Sequence, residues 1–257
     1  MEKKMDDKIK KALDLYREEK YQEAADIFEE SLNRFKNDPG LLNNIGLCYA
    51  KLAQDEKAEE YYSRALSNNP RSVETYVNLS DIYYKNRRIE DAINLLENAV
   101  TFMPENIALR HCLARFYVED CRYDMAIDEL SQILDESPEN TDAYWDLGNI
   151  HYEMGDYDSA ISCYENVLTK VDSNALIYYQ TALAYEADNK VDKAISNHLK
   201  ALAINDKLAP AYKKLGILFM AREDNEDAIE YFEEYLKFDL NDEEKETIQN
   251  IVKRITI

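Results

Sequence analysis

The chain has 257 residues, of which 46% are hydrophobic and 32% charged, so it carries enough apolar residues to build a core and is not predicted to be disordered. With only 5 Gly and 5 Pro it can form few turns, and most of it is therefore predicted to be helix with short connections. The net charge of −21 argues against nucleic acid and anionic membrane as partners, because binding phosphate needs concentrated positive charge. Solubility is the simpler interpretation of this acidity, and attraction of basic partners is the alternative.

The amino terminus and the cysteines predict a cytoplasmic protein. The first residues contain no apolar run of the kind found in signal peptides, and no 18-residue apolar stretch occurs that could span a membrane. The four cysteines, Cys48, Cys112, Cys121 and Cys163, include no Cys-x-x-Cys pair and no histidine at a zinc-ligand spacing. A reduced, cytoplasmic setting is therefore expected, with no metal or other cofactor.

A repeat of 34 residues runs through the chain from Met5. Two positions of the repeat, twelve residues apart, hold only small residues, and we place one on each of two helices that cross closely. The first small position holds Ala12, Gly46, Ser80, Ala114, Gly148, Ala182 and Gly216. The second holds Ala24, Ala58, Ala92, Ala126, Ala160, Ala194 and Ala228.

Large residues recur three residues after the first small position and four residues after the second. These spacings keep each large side chain on the same helix face as its small neighbour, where it fills the space around the crossing. Pro70, Pro104 and Pro138 recur at the same period and are predicted to end the second helix of their repeats.

The pattern predicts an all-α solenoid of helix hairpins over residues 1–240 and a capping helix over residues 241–257. In the capping segment, Ile248, Ile251, Val252 and Ile255 form one apolar stripe, which closes the last hairpin or, alternatively, makes a homodimer contact. The seven predicted repeats are about 5–38, 39–72, 73–106, 107–140, 141–174, 175–208 and 209–240.

The fifth repeat carries the residues of a known family pattern, with departures at His151 in this repeat and at Thr181 in the sixth. Its matching residues are Tyr144, Leu147, Gly148, Gly155, Tyr157, Ala160 and Tyr164. In this combination the chain resembles the tetratricopeptide repeat (TPR) family. The resemblance implies a right-handed superhelix whose concave side is lined by the first helix of each hairpin. It also implies a non-enzymatic protein–protein adaptor.

No catalytic constellation is evident. The sequence contains no glycine-rich phosphate loop, nucleophile motif or cluster of metal ligands. His151 and His198 occupy positions of large core residues, where histidines with satisfied hydrogen bonds are expected. His111 lies on a first helix, where it is expected to face the groove.

The predicted groove combines aromatic side chains with amides. Trp145 adjoins the core residue Tyr144, and since adjacent helical residues point about 100° apart, Trp145 should face the groove. Packing between repeats is the alternative role for such aromatics. Amides in the groove could donate to and accept from the backbone of an extended peptide. The predicted groove residues are Asn44, Asn78, Tyr84, His111, Arg115, Trp145, Asp146, Asn149, Tyr152, Tyr179, Gln180 and Lys213.

The charge along the groove is uneven, which suggests how a ligand would be oriented. Repeats five and six contribute only acids, so a basic ligand residue is expected over Asp142, Asp146 and Glu153, and an acidic group near Lys213. Family members that capture heat-shock chaperone tails are known for a Lys and Asn pair on one first helix. That pair is absent here, which argues against such tails as ligands.

Three functions are compatible with the sequence. The first is an adaptor that binds a peptide or helix of a partner protein in the groove. The second is a structural module that assembles through the solenoid ends or the convex face, and the third is a regulatory subunit that acts on an enzyme in trans.

Overall fold

The computed structural model describes residues 2–256, and it describes side chains from residue 7 onward. The described part therefore leaves out Met1 and Ile257, which fall in the predicted ranges. It also leaves out the side chain of Met5, where the repeat pattern begins. Over the described residues the chain is all-helical. Its helices, numbered in chain order, are α1 (Glu2–Arg17), α2 (Tyr21–Leu32), α3 (Pro39–Lys51), α4 (Asp55–Asn68), α5 (Val73–Lys85), α6 (Ile89–Phe102), α7 (Ile107–Glu119), α8 (Tyr123–Glu136), α9 (Thr141–Glu153), α10 (Tyr157–Leu168), α11 (Ala175–Ala187), α12 (Val191–Ile204), α13 (Ala209–Ala221), α14 (Asn225–Tyr235) and α15 (Asp242–Ile255).

Each predicted repeat contains one pair of these helices, and α15 lies in the predicted capping segment. Only α1 begins before its predicted range. The chain forms two compact units, unit 1 (residues 1–133) and unit 2 (residues 134–257), and the division falls inside α8.

The helix ends follow from local chemistry. The side chains of Asp38 and Asn140 each accept a hydrogen bond from the backbone N–H three residues later, at 2.9 and 2.8 Å, which satisfies a donor that the first helical turn leaves unpaired. Pro70 and Pro104 lie two residues after the last residues of α4 and α6, as the sequence predicted, because proline cannot continue a helix.

The turn inside each hairpin uses a left-handed backbone conformation at one register. The residues concerned are 34 apart, and only one of them is glycine. Such a conformation costs an ordinary residue roughly 1–2 kcal/mol. The residues and their φ angles are Glu19 (61°), Ala53 (55°), Arg87 (60°), Cys121 (57°), Gly155 (79°), Asn189 (58°) and Glu223 (65°).

The small residue on the first helix leaves room for a ring on the second helix. A Cβ atom added to Gly148 would lie 2.5 Å from the ring of Tyr164, and one added to Gly216 would lie 2.6 Å from the ring of Phe232. The sequence predicts two small side chains meeting at the crossing. The structure adds a reason for the first small position, because a buried aromatic ring also approaches it.

The sizes of the two residues in this contact are matched. Gly46 faces Tyr62, also with 2.6 Å between an added Cβ and the ring. In the next two repeats the equivalent pairs are Ser80 with Leu96 and Ala114 with Leu130. A larger residue on the first helix thus accompanies a smaller one on the second, as close packing requires. The pair Ala12 and Phe28 departs from this trend, and we have no physical account of it.

Polar contacts also join successive hairpins. The hydroxyl of Tyr117 donates to Glu97 Oε1 at 2.6 Å, and Tyr185 makes the same bond to Glu165. A further polar contact lies within one hairpin of unit 1, where the buried guanidinium of Arg110 donates to Glu129 at 2.6 Å. Partners for these buried polar groups offset the cost of removing them from water.

The last helix covers the final hairpin of unit 2. Ile248 is 2% exposed, and Ile251, Val252 and Ile255 pack against a cluster that includes Tyr235. The apolar stripe predicted for α15 is thus used in packing within unit 2, and a homodimer contact through this helix stays a prediction. Among the described residues, no helix is long and apolar enough to cross a membrane.

Candidate peptide-binding surface

The predicted groove residues lie in both units, and all of them are on first helices of hairpins. Unit 1 carries Asn44, Asn78, Tyr84, His111 and Arg115. Unit 2 carries Trp145, Asp146, Asn149, Tyr152, Tyr179, Gln180 and Lys213.

In unit 1, a buried hydrogen-bond network joins α3 to α5. The Oδ1 atom of Asn43 accepts from Thr75 Oγ1 at 3.0 Å and from Asn78 Nδ2 at 3.3 Å, while Asn43 Nδ2 donates to Glu74 at 3.0 Å. We call Asn43, Glu74, Thr75 and Asn78 the Asn43 network. The predicted peptide clamp Asn78 is therefore engaged with the neighbouring repeat, and its partner in the prediction, Asn44, is half-buried beside Asn43.

Two other predicted residues of unit 1, Tyr84 and Arg115, are also engaged with their own unit. The hydroxyl of Tyr84 donates to Glu119 at 2.6 Å, and its ring lies 5.5 Å from the ring of Phe116. Arg115 donates to Asp81 at 2.7 Å, with its guanidinium 4.7 Å from the Phe116 ring. His111 is half-buried on the same helix as Arg115.

In unit 2, aromatic side chains of the first helices rest on rings of the second helices. The Trp145 ring centroid lies 5.5 Å from that of Tyr164, and Tyr179 lies 5.4 Å from His198. Tyr152 lies 5.6 Å from Tyr157. Trp145, Tyr152 and Tyr179 are half-buried against the core of unit 2. Each therefore packs against the core with part of its ring and leaves the other part exposed. Burial raises the pKa of the Tyr152 and Tyr179 phenols above the usual value, which keeps them neutral.

Amide and carboxylate groups lie among these aromatics. Asn149 Oδ1 accepts from the Tyr164 hydroxyl at 2.8 Å, and that bond leaves the two N–H donors of the amide unused. Asp146 and Gln180 are half-buried at equivalent positions on α9 and α11. These groups could pair with the backbone of a ligand.

Beneath Tyr179 lies a buried histidine. His198 is fully buried, as the sequence predicted, but the prediction that its hydrogen bonds are satisfied was wrong. Among the described residues neither ring nitrogen has a hydrogen-bond partner, and Glu186 Oε2 lies 3.8 Å from Nε2. Glu186 also receives a bond from Lys214 at 2.8 Å. Burial acts to raise the pKa of Glu186, but Lys214 and His198 outweigh it and the pKa is lowered.

A pocket that sequence reasoning missed opens beside Trp145. Its volume is about 330 Å³. Trp145, Val167, Leu176 and Ile177 are among its walls, and Asp142 lies at its edge. We call this the Trp145 pocket. The available sequence signal was Leu176, an apolar residue in the first turn of α11 that is 49% exposed.

The predicted basic end of the groove is already occupied by an internal partner. Lys213 Nζ donates to Glu244 Oε1 of α15 at 2.6 Å and lies 5.7 Å from the Tyr235 ring. The pKa of Glu244 is lowered by this bond. Because Lys213 is paired, a ligand carboxylate there would have to displace Glu244.

No metal centre is evident in the described part of the chain, where no group of three or more His, Cys, Asp or Glu side chains could hold an ion. The predicted groove residues therefore offer stacking, hydrogen bonding and charge.

Paired helices with a small residue facing a large one at a period of 34 define a helical-repeat protein. Tetratricopeptide repeat profiles match residues 40–72, 83–134, 119–184 and 211–244, which together make up more than half of the chain. The chain belongs to the tetratricopeptide repeat family, and the resemblance stated from the sequence is confirmed. Members of this family are generally non-catalytic scaffolds that bind protein partners.

Individual relatives match only in part. Coatomer subunit epsilon of Dictyostelium discoideum is 32% identical over 76 residues, which cover 30% of this chain and 25% of that protein. The chain thus spans a quarter of this relative.

Solved structures match over more of the chain. The C-terminal part of a TPR repeat-containing protein from Cytophaga hutchinsonii gives a TM-score of 0.76 at 19% identity, covering 91% of this chain and 97% of the other. YrrB, described as a TPR protein with an unusual peptide-binding site, gives 0.57 at 21% identity over 73% of this chain and 96% of YrrB. At these identities the likeness concerns the fold.

Proposed function

We propose that the chain is an adaptor and that the first helices of unit 2, α9, α11 and α13, bind a peptide or helix of a partner protein. The observation that carries the proposal is the row of half-buried aromatics, Trp145, Tyr152 and Tyr179, seated on a rigid layer of rings. Aromatic anchors that are already held in place lose little conformational freedom on binding, and such residues dominate many interfaces.

Unit 2 suits this role better than unit 1. In unit 1, the predicted amide Asn78 and the side chains of Tyr84 and Arg115 are bonded within the unit. In unit 2, Asn149 keeps N–H donors unused by its bond to Tyr164, and the Trp145 pocket offers an apolar cavity. That YrrB has a peptide-binding site is consistent with this fold presenting one. The cytoplasmic setting also stays a proposal, to which the four free cysteines lend support.

The test is a selection of phage-displayed random peptides on the immobilised full-length chain, read by sequencing. We expect peptides to be enriched on the wild type and to lose at least about 30-fold in affinity when Trp145→Ala and Tyr179→Ala are combined, because truncating such anchors typically costs about 2 kcal/mol or more. Circular dichroism checks that the variant remains helical.

Two further variants keep the test decisive. Gln180→Lys changes a half-buried surface amide without touching the ring layer, so it should weaken binding even if the double alanine variant unfolds. Tyr84→Ala is the matched control in unit 1 and should leave the selected peptides unaffected. Equal enrichment on all four proteins would overturn the proposal.

A further inference from the structure

The Trp145 pocket is large enough to admit a bulky side chain. Its volume of about 330 Å³ is at the lower end of the range for ligand pockets, which is roughly 300–1,000 Å³. Leu176 and Val171 on its rim are 49% and 37% exposed. Covering these apolar surfaces with a bulky aliphatic or aromatic side chain would remove them from water on both partners.

The charge around the pocket is strongly one-sided. Residues 134–189 contain twelve Asp and Glu residues and a single base, Lys170, which gives this segment a formal charge of −11. The whole chain carries −21, so about half of the excess lies in the segment that builds the pocket. A potential of this sign raises the local concentration of basic ligands.

One of these acids stands at the edge of the pocket without a partner. Asp142 is exposed, and among the described residues it makes no hydrogen bond or ion pair. Elsewhere in unit 2 the acids that face lysines are already neutralised, as with Glu244 by Lys213 and Glu186 by Lys214. Asp142 is therefore available to a basic group beside whatever fills the pocket.

We propose that the Trp145 pocket takes a bulky apolar side chain of a partner peptide in which lysine or arginine flanks that side chain. The inference rests on the proposed peptide-binding function and names its ligand class. The sequence predicted a basic ligand residue over Asp142 and an acidic ligand group near Lys213. The proposal keeps the basic residue and does not require the acidic group, because Lys213 is already paired with Glu244.

The only tryptophan of the chain reports directly on the pocket. The probes are three blocked synthetic peptides: one leucine flanked by two lysines on each side, the same peptide with serine for leucine, and the same peptide with glutamate for each lysine. We expect the basic leucine peptide to change Trp145 emission in a saturable manner. The serine and glutamate peptides should bind at least ten-fold more weakly, and added salt should weaken the basic peptide.

Variants of the full chain separate pocket from general charge. Asp142→Lys should weaken the basic leucine peptide about ten-fold, while Asp135→Lys, the same charge change at an exposed residue of α8 outside the pocket lining, should change its affinity less than two-fold. Leu176→Ser should reduce the preference for leucine over serine. Equal effects of the two charge variants would overturn the inference.

The outcomes distinguish this inference from the proposed function. If the phage selection enriches acidic or uncharged peptides that depend on Trp145 and Tyr179, the peptide-binding function stands and the ligand class is wrong. If none of the three synthetic peptides alters Trp145 emission at millimolar concentration, the pocket inference falls whatever the selection yields. If the selection fails as well, both proposals fall.

Discussion

The two units carry chemically different residues at the same repeat position of their first helices. In unit 1 the position holds Ile9, Asn43, Val77 and His111, and Asn43 is buried in a network that ties α3 to α5. In unit 2 it holds Trp145 and Tyr179, which lie on the rings of Tyr164 and His198, followed by Lys213.

The difference shows how one repeat can be specialised without a change of backbone. A polar residue at this register uses its hydrogen bonds to join neighbouring hairpins, which leaves little for a ligand. An aromatic residue packs one part of its ring against the core and leaves the rest exposed, because the whole ring is too large for the space available. The two units also differ inside the hairpins. Unit 1 buries a paired charge, whereas unit 2 buries a histidine without hydrogen-bond partners.

The largest expected effect is in unit 1. Glu129→Ala should lower the free energy of unfolding by about 3–5 kcal/mol, because Arg110 would keep a buried charge without its carboxylate. The measurement is urea-induced unfolding of the full chain, followed by circular dichroism.

The control for this variant is an exposed ion pair. Lys8 and Glu30 are bonded at 2.6 Å, but their side chains are 50% and 62% exposed. Lys8→Ala should therefore cost less than about 1 kcal/mol. If Glu129→Ala cost no more than this, the buried pair would not stabilise unit 1.

The next effect tests the closure of hairpins in unit 2. Gly216→Ala should cost about 1–3 kcal/mol, because its Cβ would meet the fully buried ring of Phe232 at 2.6 Å. Combining it with Phe232→Leu would create the pairing seen at Ala114 and Leu130 of unit 1. The double variant should therefore lose less stability than the two single variants added together. Strict additivity of the unfolding free energies would contradict the matched-size explanation.

The hairpin architecture could be predicted because period and residue size carry it. The alanine register, the prolines after α4 and α6 and the apolar stripe of α15 all led to helices where the structure has them. The close approach of a ring to the first small position could not be predicted. How near the ring of Tyr164 comes to Gly148 depends on how the two helices are rotated, and the period does not specify that rotation.

The candidate surface was harder to predict than the fold. A register assigns Asn78 or Tyr84 to a helix face, but their partners, Asn43 and Glu119, come from neighbouring helices. The same holds for Lys213 and Glu244. The Trp145 pocket depends on three helices and a connection, so no single spacing reveals it. The groove residues of the sequence analysis stay predictions as a ligand surface.

A smaller effect of opposite sign is expected at His198 in unit 2. Every other repeat has an aromatic or leucine side chain at this position, and a buried polar group without a partner costs about 1–3 kcal/mol. His198→Leu would give Ala182 the same partner that Ala114 has in Leu130, and it should therefore raise the free energy of unfolding by about 1–2 kcal/mol at pH 8. Loss of stability at pH 8 would show that the ring is held by a bond to Glu186.

The smallest effects concern the turn residues in the left-handed conformation. Unit 1 has no glycine at this position, whereas the first repeat of unit 2 has Gly155, which adopts the conformation without strain. Ala53 has φ 55°, and Gly155, three repeats later in the same series, has φ 79°. A left-handed conformation costs an alanine roughly 1–2 kcal/mol, and the greater freedom of glycine in the unfolded chain offsets about half of this. Ala53→Gly should therefore stabilise the chain by about 0.5–1 kcal/mol, and Gly155→Ala should destabilise it by a similar amount. Since a Cβ on Gly155 would meet no atom within 4 Å, the second change isolates the backbone term. Thermal unfolding of both variants checks the pair, and shifts of the same sign would mean that side-chain contacts, not backbone conformation, control stability at this turn.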